Sequence, residues 1–223
     1  EEKTLEAFRT GNGVAWGDHD ERLYCGVASF YRNAYRGSLV SQWLPALEGV
    51  VARLEAGIAV ADVGCGHGHS TLLMAEAFPE SRFRGFDVHP ASVEAARRNA
   101  AEAGLDGRVS FDVAPASGFP GGSYGLICFF DALHDMGDPL GAARQAARAL
   151  APDGTVMLIE PFANDRVEDN VSPVARLYYS ASAALCCANA IADGGRLVLG
   201  AQAGEARLVE DFRKAGFARF RRA

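Results

Sequence analysis

"VADVGCGHGHSTLLMAEAF", residues 60–78, sets three glycines at alternate positions after a short apolar run, with an aspartate just ahead and a helix-like stretch behind. Glycine-rich strand-to-helix turns cradle nucleotides, and their spacing separates the types. A dinucleotide turn reads GxGxxG. Here Gly64, Gly66 and Gly68 read GxGxG, and His69 stands where the third glycine would be. A P-loop needs GxxxxGK[ST], and no lysine lies near. The turn therefore lacks the phosphate cradle of either motif.

Working outward, apolar runs alternate with helical patterns. "IAVADV" (58–63) is a β-branched candidate for a buried strand, and 68–78 reads as a helix ended by Pro79. "RFRGFDV" (82–88) follows, then a helix from Pro90 closed by Gly104. "RVSFDVA" (108–114), "GLICFFDAL" (125–133) and "TVMLIEPF" (155–162) are further strands, with an Ala-rich helix over 139–150. "GEARLVEDFRKAGF" reads as a helix entering a sixth strand. Strands alternating with helices of this length predict an α/β fold: a Rossmann-like, doubly wound, mostly parallel sheet with helices on both faces. Two regions stand outside the alternation. Residues 1–56 form an N-terminal helical appendage, and residues 163–203 a helical lid insertion within the sheet domain, 57–223. Ligands of such sheets sit at the carboxyl ends of the strands, where these segments are placed to close over them.

Composition narrows the function. The 223 residues carry a net charge of −6, which excludes non-specific nucleic-acid binding as the function of this chain. Five cysteines without a CxxC pair fit a reducing cytoplasm rather than a disulfide framework or zinc site. Leu177 to Ala192 is apolar but short of the ~20 residues of a membrane span. No membrane association is expected, and assembly as a homodimer stays open.

Asp87 ends the second strand about 20 residues past the glycines, where a ribose-binding acid belongs. A carboxylate accepts both ribose hydroxyls; the plainer reading makes Asp87 an N-cap for the helix at Pro90.

Asp62-x-Gly64-x-Gly66-x-Gly68 after a strand resembles motif I of the class I S-adenosylmethionine-dependent methyltransferases. "LAPDG" followed by "IEPF" and the strand end "FFDALHDMGDP" resemble that family's later markers, over roughly residues 57–162. The resemblance implies S-adenosylmethionine as cofactor, S-adenosylhomocysteine (SAH) as product, and a small-molecule acceptor attacking through oxygen or nitrogen by in-line displacement. It implies that Gly64, Cys65 and Gly66 approach the methionine moiety closely, a side chain at Gly64 or Gly66 colliding with it, and that Asp62 lies near the cofactor's amino group. Asp87 with Val88 takes the ribose side, and Phe130 and Asp131 are further cofactor contacts. Where the family often carries Gly-Asp-Ala, this chain has Ala114-Pro115-Ala116, so adenine must be held by backbone groups, apolar walls or Ser117.

At finer grain the chain resembles bacterial methyltransferases with an N-terminal winged-helix domain, which would lie upstream of residue 1. That likeness carries an alternative: a cofactor-binding transcriptional regulator with little or no turnover. "His-Asp-Met" at 134–136 resembles the "His-Asp-Trp" of small-molecule O-methyltransferases, whose histidine is the base; the other reading of His134 is structural. Asp135 and Asp138 are expected to cap the next helix, and His69 to help cap its own. No metal is expected. Tyr24, Phe30, Tyr31, Tyr178 and Tyr179 are candidate walls for the acceptor, Tyr178 and Tyr179 foremost, or else packing residues. The family's sheet has seven strands. "GFARFRRA" is expected to supply the sixth, and the natural protein to continue for about 10–20 residues.

Overall fold

The computed structural model describes residues 2–223. Its centre is a five-stranded parallel sheet of order β3-β2-β1-β4-β5. The strands are β1 (Ala59–Val63), β2 (Arg82–Asp87), β3 (Val109–Val113), β4 (Tyr124–Phe130) and β5 (Leu150–Ile159). Every residue of β4 is buried, as a central strand covered on both faces requires. Alternation sorts its side chains: Leu126, Cys128 and Phe130 join one core, Ile127 and Phe129 the other. Helices α4 (His69–Ala77) and α5 (Pro90–Glu102) cover the first face; α6 (Pro139–Ala149) and α9 (Glu205–Lys214) cover the second. The chain reverses its winding between β1 and β4, so the crevice for a ligand opens at the carboxyl ends of those two strands.

The N-terminal segment comprises α1 (Glu2–Thr10), α2 (Glu21–Ala34), a π-helical continuation (Tyr35–Trp43) and α3 (Val50–Ala56). Leu39, Leu44, Val50 and Leu54 are fully buried in the first core, so residues 35–56 share the sheet's own packing. The lid region folds as α7 (Pro173–Ala181), a π-helical step (Ser182–Cys186) and α8 (Cys187–Ala192). It meets the N-terminal segment directly. The Val14 N–H donates to the Ala188 carbonyl at 2.9 Å, and the Trp16 N–H to Asn189 Oδ1 at 2.8 Å. It also meets the end of β4, through Asn189 Nδ2 to the Asp135 carbonyl and Gly200 N–H to the His134 carbonyl.

Residues 217–223 form no strand, which corrects the expected sixth. Gly216, at φ +106°, turns the chain back. Phe217 and Phe220 then pack on Phe212 of α9, with ring centroids 5.2 and 6.0 Å away, rather than lying along β5. A cleft of about 920 Å³ remains beside β5, lined by Val156, Leu158, Leu208 and Phe217 among others.

Candidate active site

The glycine turn hangs from β2: the N–H groups of Gly64 and Cys65 both donate to the Phe86 carbonyl, at 2.7 and 3.1 Å. Gly64, Gly66 and Gly68 all have positive φ, which glycine alone adopts without cost. Their surroundings differ. A Cβ on Gly64 would sit 2.5 Å from Ala132 Cβ, and one on Gly68 2.6 Å from the Phe111 ring. One on Gly66 would meet nothing within 4 Å. The expected collision at Gly64 is thus with the protein itself, and only Gly66 faces open space. The Cys65 side chain is buried in the first core, so at the turn it presents backbone. His69 is the first residue of α4 and makes no cap; the N-cap is Gly68, without a side-chain bond.

Asp62 lies in the middle of the sheet, paired in register with Gly85 and Cys128. Its Oδ2 accepts from Ser70 Oγ and Thr71 Oγ1, both at 2.6 Å, while Oδ1 is buried without a partner. Burial raises its pKa to about 6, against the pull of the two hydroxyls. Asp87 receives the Gly66 N–H on Oδ2 and the His89 N–H on Oδ1, each at 2.8 Å. The N-cap of α5 is His89, so Asp87 instead ties the glycine turn to that helix start. Each carboxylate oxygen keeps a lone pair for a ligand hydroxyl. Val88 is 59% exposed beside it, and after β3 come Ala114, whose N–H donates to the Asp87 carbonyl at 3.0 Å, and the exposed Pro115. An open space over Gly66, an unpartnered buried carboxylate oxygen and a carboxylate with spare acceptor capacity fit an amino-acid nucleoside such as S-adenosylmethionine.

At the end of β4, Phe130 is buried with its ring 5.7 Å from that of Tyr35, enclosed rather than open to a ligand. Asp131 has φ +52°, an uncommon conformation for a residue with a Cβ. The Tyr31 hydroxyl of α2 faces its carboxylate and favours the charged form. Burial raises the Asp131 pKa to about 7; the His134 charge and the Tyr31 hydroxyl pull it down, and Glu160 and Asp135 push it up.

His134 sits in the 3-10 turn Leu133–Asp135 and is buried. Its Nδ1 is bonded to Glu160 Oε2, and its Nε2 lies 3.2 Å from Asp135 Oδ1. The other Glu160 oxygen accepts the Leu133 N–H at 2.9 Å. Burial disfavours the imidazolium, but Glu160 and Asp135 together outweigh it and hold the His134 pKa well above its ordinary value. Nδ1 is thus engaged by Glu160, while Asp135 Oδ1, facing Nε2, is buried without a hydrogen-bond partner; His134, Asp135 and Cys186 lie close enough together to ligate an ion. Asp138 caps α6 by accepting the Gly141 N–H, whereas Asp135 turns to His134 instead, because a 3-10 turn rather than a helix carries them.

Of the candidate wall residues, Tyr31 and the half-buried Tyr178 face this site, and Tyr24 lies over the glycine turn, its ring 5.0 Å from His89. Tyr179 and Phe30 face solvent, which corrects their expected place: on α7 and α2 they fall one residue away from the inward side chains Tyr178 and Tyr31. Glu160 and Tyr35 went unnoticed as site residues. The only sequence signal for Glu160 was its place after the fifth strand.

Comparison with known proteins agrees with this geometry. A family model described as a methyltransferase domain matches residues 54–212. The 27-O-demethylrifamycin SV methyltransferase of Amycolatopsis mediterranei is 36% identical over 107 residues, 47% of this chain and 39% of that protein. The chain spans less than half the length of the curated relatives it matches. Among solved structures, the S-adenosylmethionine-dependent methyltransferase SibL is 25% identical with a TM-score of 0.61, covering 97% of this chain and 63% of SibL. PigF with SAH shares the fold at 20% identity and a TM-score of 0.67, over 97% of this chain and 63% of PigF.

Proposed function

The chain belongs to the class I S-adenosylmethionine-dependent methyltransferases, and on that premise we propose that it transfers a methyl group to an oxygen or nitrogen of a small-molecule acceptor. The observation that carries this is the open space over Gly66, flanked by the free acceptor capacity of Asp62 and Asp87. Bound there, the cofactor supplies an already activated methyl on a sulfonium. The chain's task is then to align an acceptor and exclude water. In this reading the backbone of Gly64, Cys65 and Gly66 holds the methionine end, Asp62 Oδ1 takes a donor at the amino group, and Asp87 takes the ribose. Val88, Ala114 and Pro115 bracket the adenine. Tyr31 and Tyr178 wall the acceptor pocket under the lid. His134 serves as a fixed cation that holds the end of β4 to β5 through Glu160, rather than as the base. The acidic surface favours a small acceptor over nucleic acid, and the five free thiols favour a cytoplasmic setting.

Calorimetric titration with S-adenosylmethionine tests the site. Wild type is expected to bind, Gly66→Val to lose binding, and Asp87→Ala to weaken it by roughly 1–3 kcal/mol, as for charge-assisted hydrogen bonds. Unchanged affinity in both variants overturns the site. Labelled cofactor with a metabolite extract tests turnover: transfer of label to a small molecule is expected, and binding without transfer overturns the enzymatic reading.

A further inference from the structure

The three acidic groups at the end of β4 are not equivalent. Glu160 and Asp135 both face the His134 ring. Asp131 hydrogen-bonds neither nitrogen of the ring, although one oxygen of it lies within 4.8 Å of polar atoms of both His134 and Glu160, and the His134 charge and the Tyr31 hydroxyl favour its charged form. It also stands against the glycine turn, because the next residue, Ala132, is what a Cβ on Gly64 would strike. The charges of Asp62, Asp131 and Glu160 all act on the hydroxyl of Tyr35, whose ring packs at 5.7 Å on Phe130, the neighbour of Asp131 in the chain. The left-handed backbone at Asp131 is costly for a side chain, and such strain collects where a site needs a group aimed against local preference.

We propose that Asp131, at the left-handed end of β4 beside the glycine turn, is the proton-exchanging group of the site: it gives up a proton when the cationic cofactor docks beside it and takes the acceptor's proton during transfer. This rests on the methyltransferase reading above. The titratable groups acting on Asp131 are Tyr31 from α2, Tyr35 from the π-helical segment, His134 and Asp135 from the 3-10 turn, and Glu160 from the end of β5; Tyr178 of α7 acts on Tyr31 in turn. With a pKa of about 7, its carboxyl is close to half protonated in the empty site at neutral pH. A sulfonium charge brought alongside favours the carboxylate. At transfer the Asp131 carboxylate binds the acceptor's proton as the acceptor's electron pair forms the bond to the methyl carbon and the carbon–sulfur pair returns to sulfur. Charge and atoms balance, since the sulfonium becomes a neutral thioether and Asp131 a neutral acid.

The test is proton release on binding, measured by titrating S-adenosylmethionine and SAH separately at pH 7 in buffers of different ionisation enthalpy. SAH shares the ammonium and carboxylate but lacks the sulfonium charge, so protons displaced from Asp62 or Asp87 by the ammonium cancel in the difference. Wild type should release up to about half a proton more with S-adenosylmethionine than with SAH. Asp131→Asn should abolish that excess. Asparagine tolerates positive φ, so the backbone should be kept. Tyr31→Phe removes the hydroxyl that favours the charged form, and should move the pH of maximal excess release upward. An excess that survives unchanged in Asp131→Asn, or no excess in wild type that binds both ligands, overturns the proposal. Failure to bind either ligand overturns the cofactor site itself.

Discussion

Two glycines two positions apart do different work. Gly64 keeps β1 clear of Ala132, while Gly66 keeps a pocket open. Alanine at either position meets the same left-handed penalty, about 1–2 kcal/mol. Gly64→Ala adds a clash with the Ala132 Cβ inside the fold. It should therefore lower the melting temperature well beyond Gly66→Ala, which should fold but bind S-adenosylmethionine poorly. Thermal melts and calorimetry on the pair check this; equal loss of stability with equal affinity would contradict it. These glycines and Asp87 were legible in the sequence because their chemistry is local: a strand, a tight turn and an acid at a fixed interval. Glu160 and Tyr31 were not. Glu160 reaches His134 across 26 positions, and Tyr31 reaches Asp131 from a different element altogether. Nothing in the spacing of "LHDM" says that the histidine will be held by a carboxylate from the end of the next strand.

Elements whose periodicity is strong were readable to within a few residues. β4 was legible because a strand buried on both faces must be apolar throughout, and α5 because Pro90 and Gly104 bracket it. The π-helical segments at 35–43 and 182–186 were not, since their wider turn leaves the residue types of an ordinary helix unchanged. The sixth strand was expected from the family's seven-stranded sheet, whereas Gly216 sends both Phe217 and Phe220 back onto α9. How the lid is fastened is also a matter of tertiary contact. One side chain, Asn189 of α8, receives the Trp16 N–H and donates to the Asp135 carbonyl. Asn189→Ala breaks both links at a cost of roughly 1–3 kcal/mol. Because local openings are set by such links, amide hydrogen exchange should quicken at Trp16 and over residues 182–192, with β1 and β4 still protected. Uniform quickening across the sheet would mean that the lid does not open on its own.

For the molecule as a whole, the site leaves a signature in how stability depends on pH. Asp62, Asp131 and His134 all have folded pKa values raised above their ordinary ones, and burial raises Asp87 in the same direction. Each contributes stability that is complete below the unfolded pKa and lost as pH rises through the folded one. For Asp62 and Asp131 that loss runs from the model-peptide value of 3.8 up to about 6 and about 7. For His134 it begins at 6.5 and extends well above. His19, His67 and His69 oppose this. Burial lowers all three, His69 to about 4, so their contribution is present above 6.5 and is lost as pH falls toward the folded values. Between roughly pH 4 and 6.5 the two sets of groups work against each other, and above 6.5 only the losses remain. The melting temperature of the ligand-free protein should therefore vary little from about pH 4.5 to 6.5 and decline from there to pH 9. His134→Gln should melt lower than wild type at pH 6, because Glu160 loses its cation, yet show a shallower decline between pH 7 and 9. Melting curves for both proteins across that range decide it. A wild-type melting temperature that climbs toward pH 9, or a variant with an undiminished alkaline slope, would mean that His134 is neutral in the fold and free to act as the base.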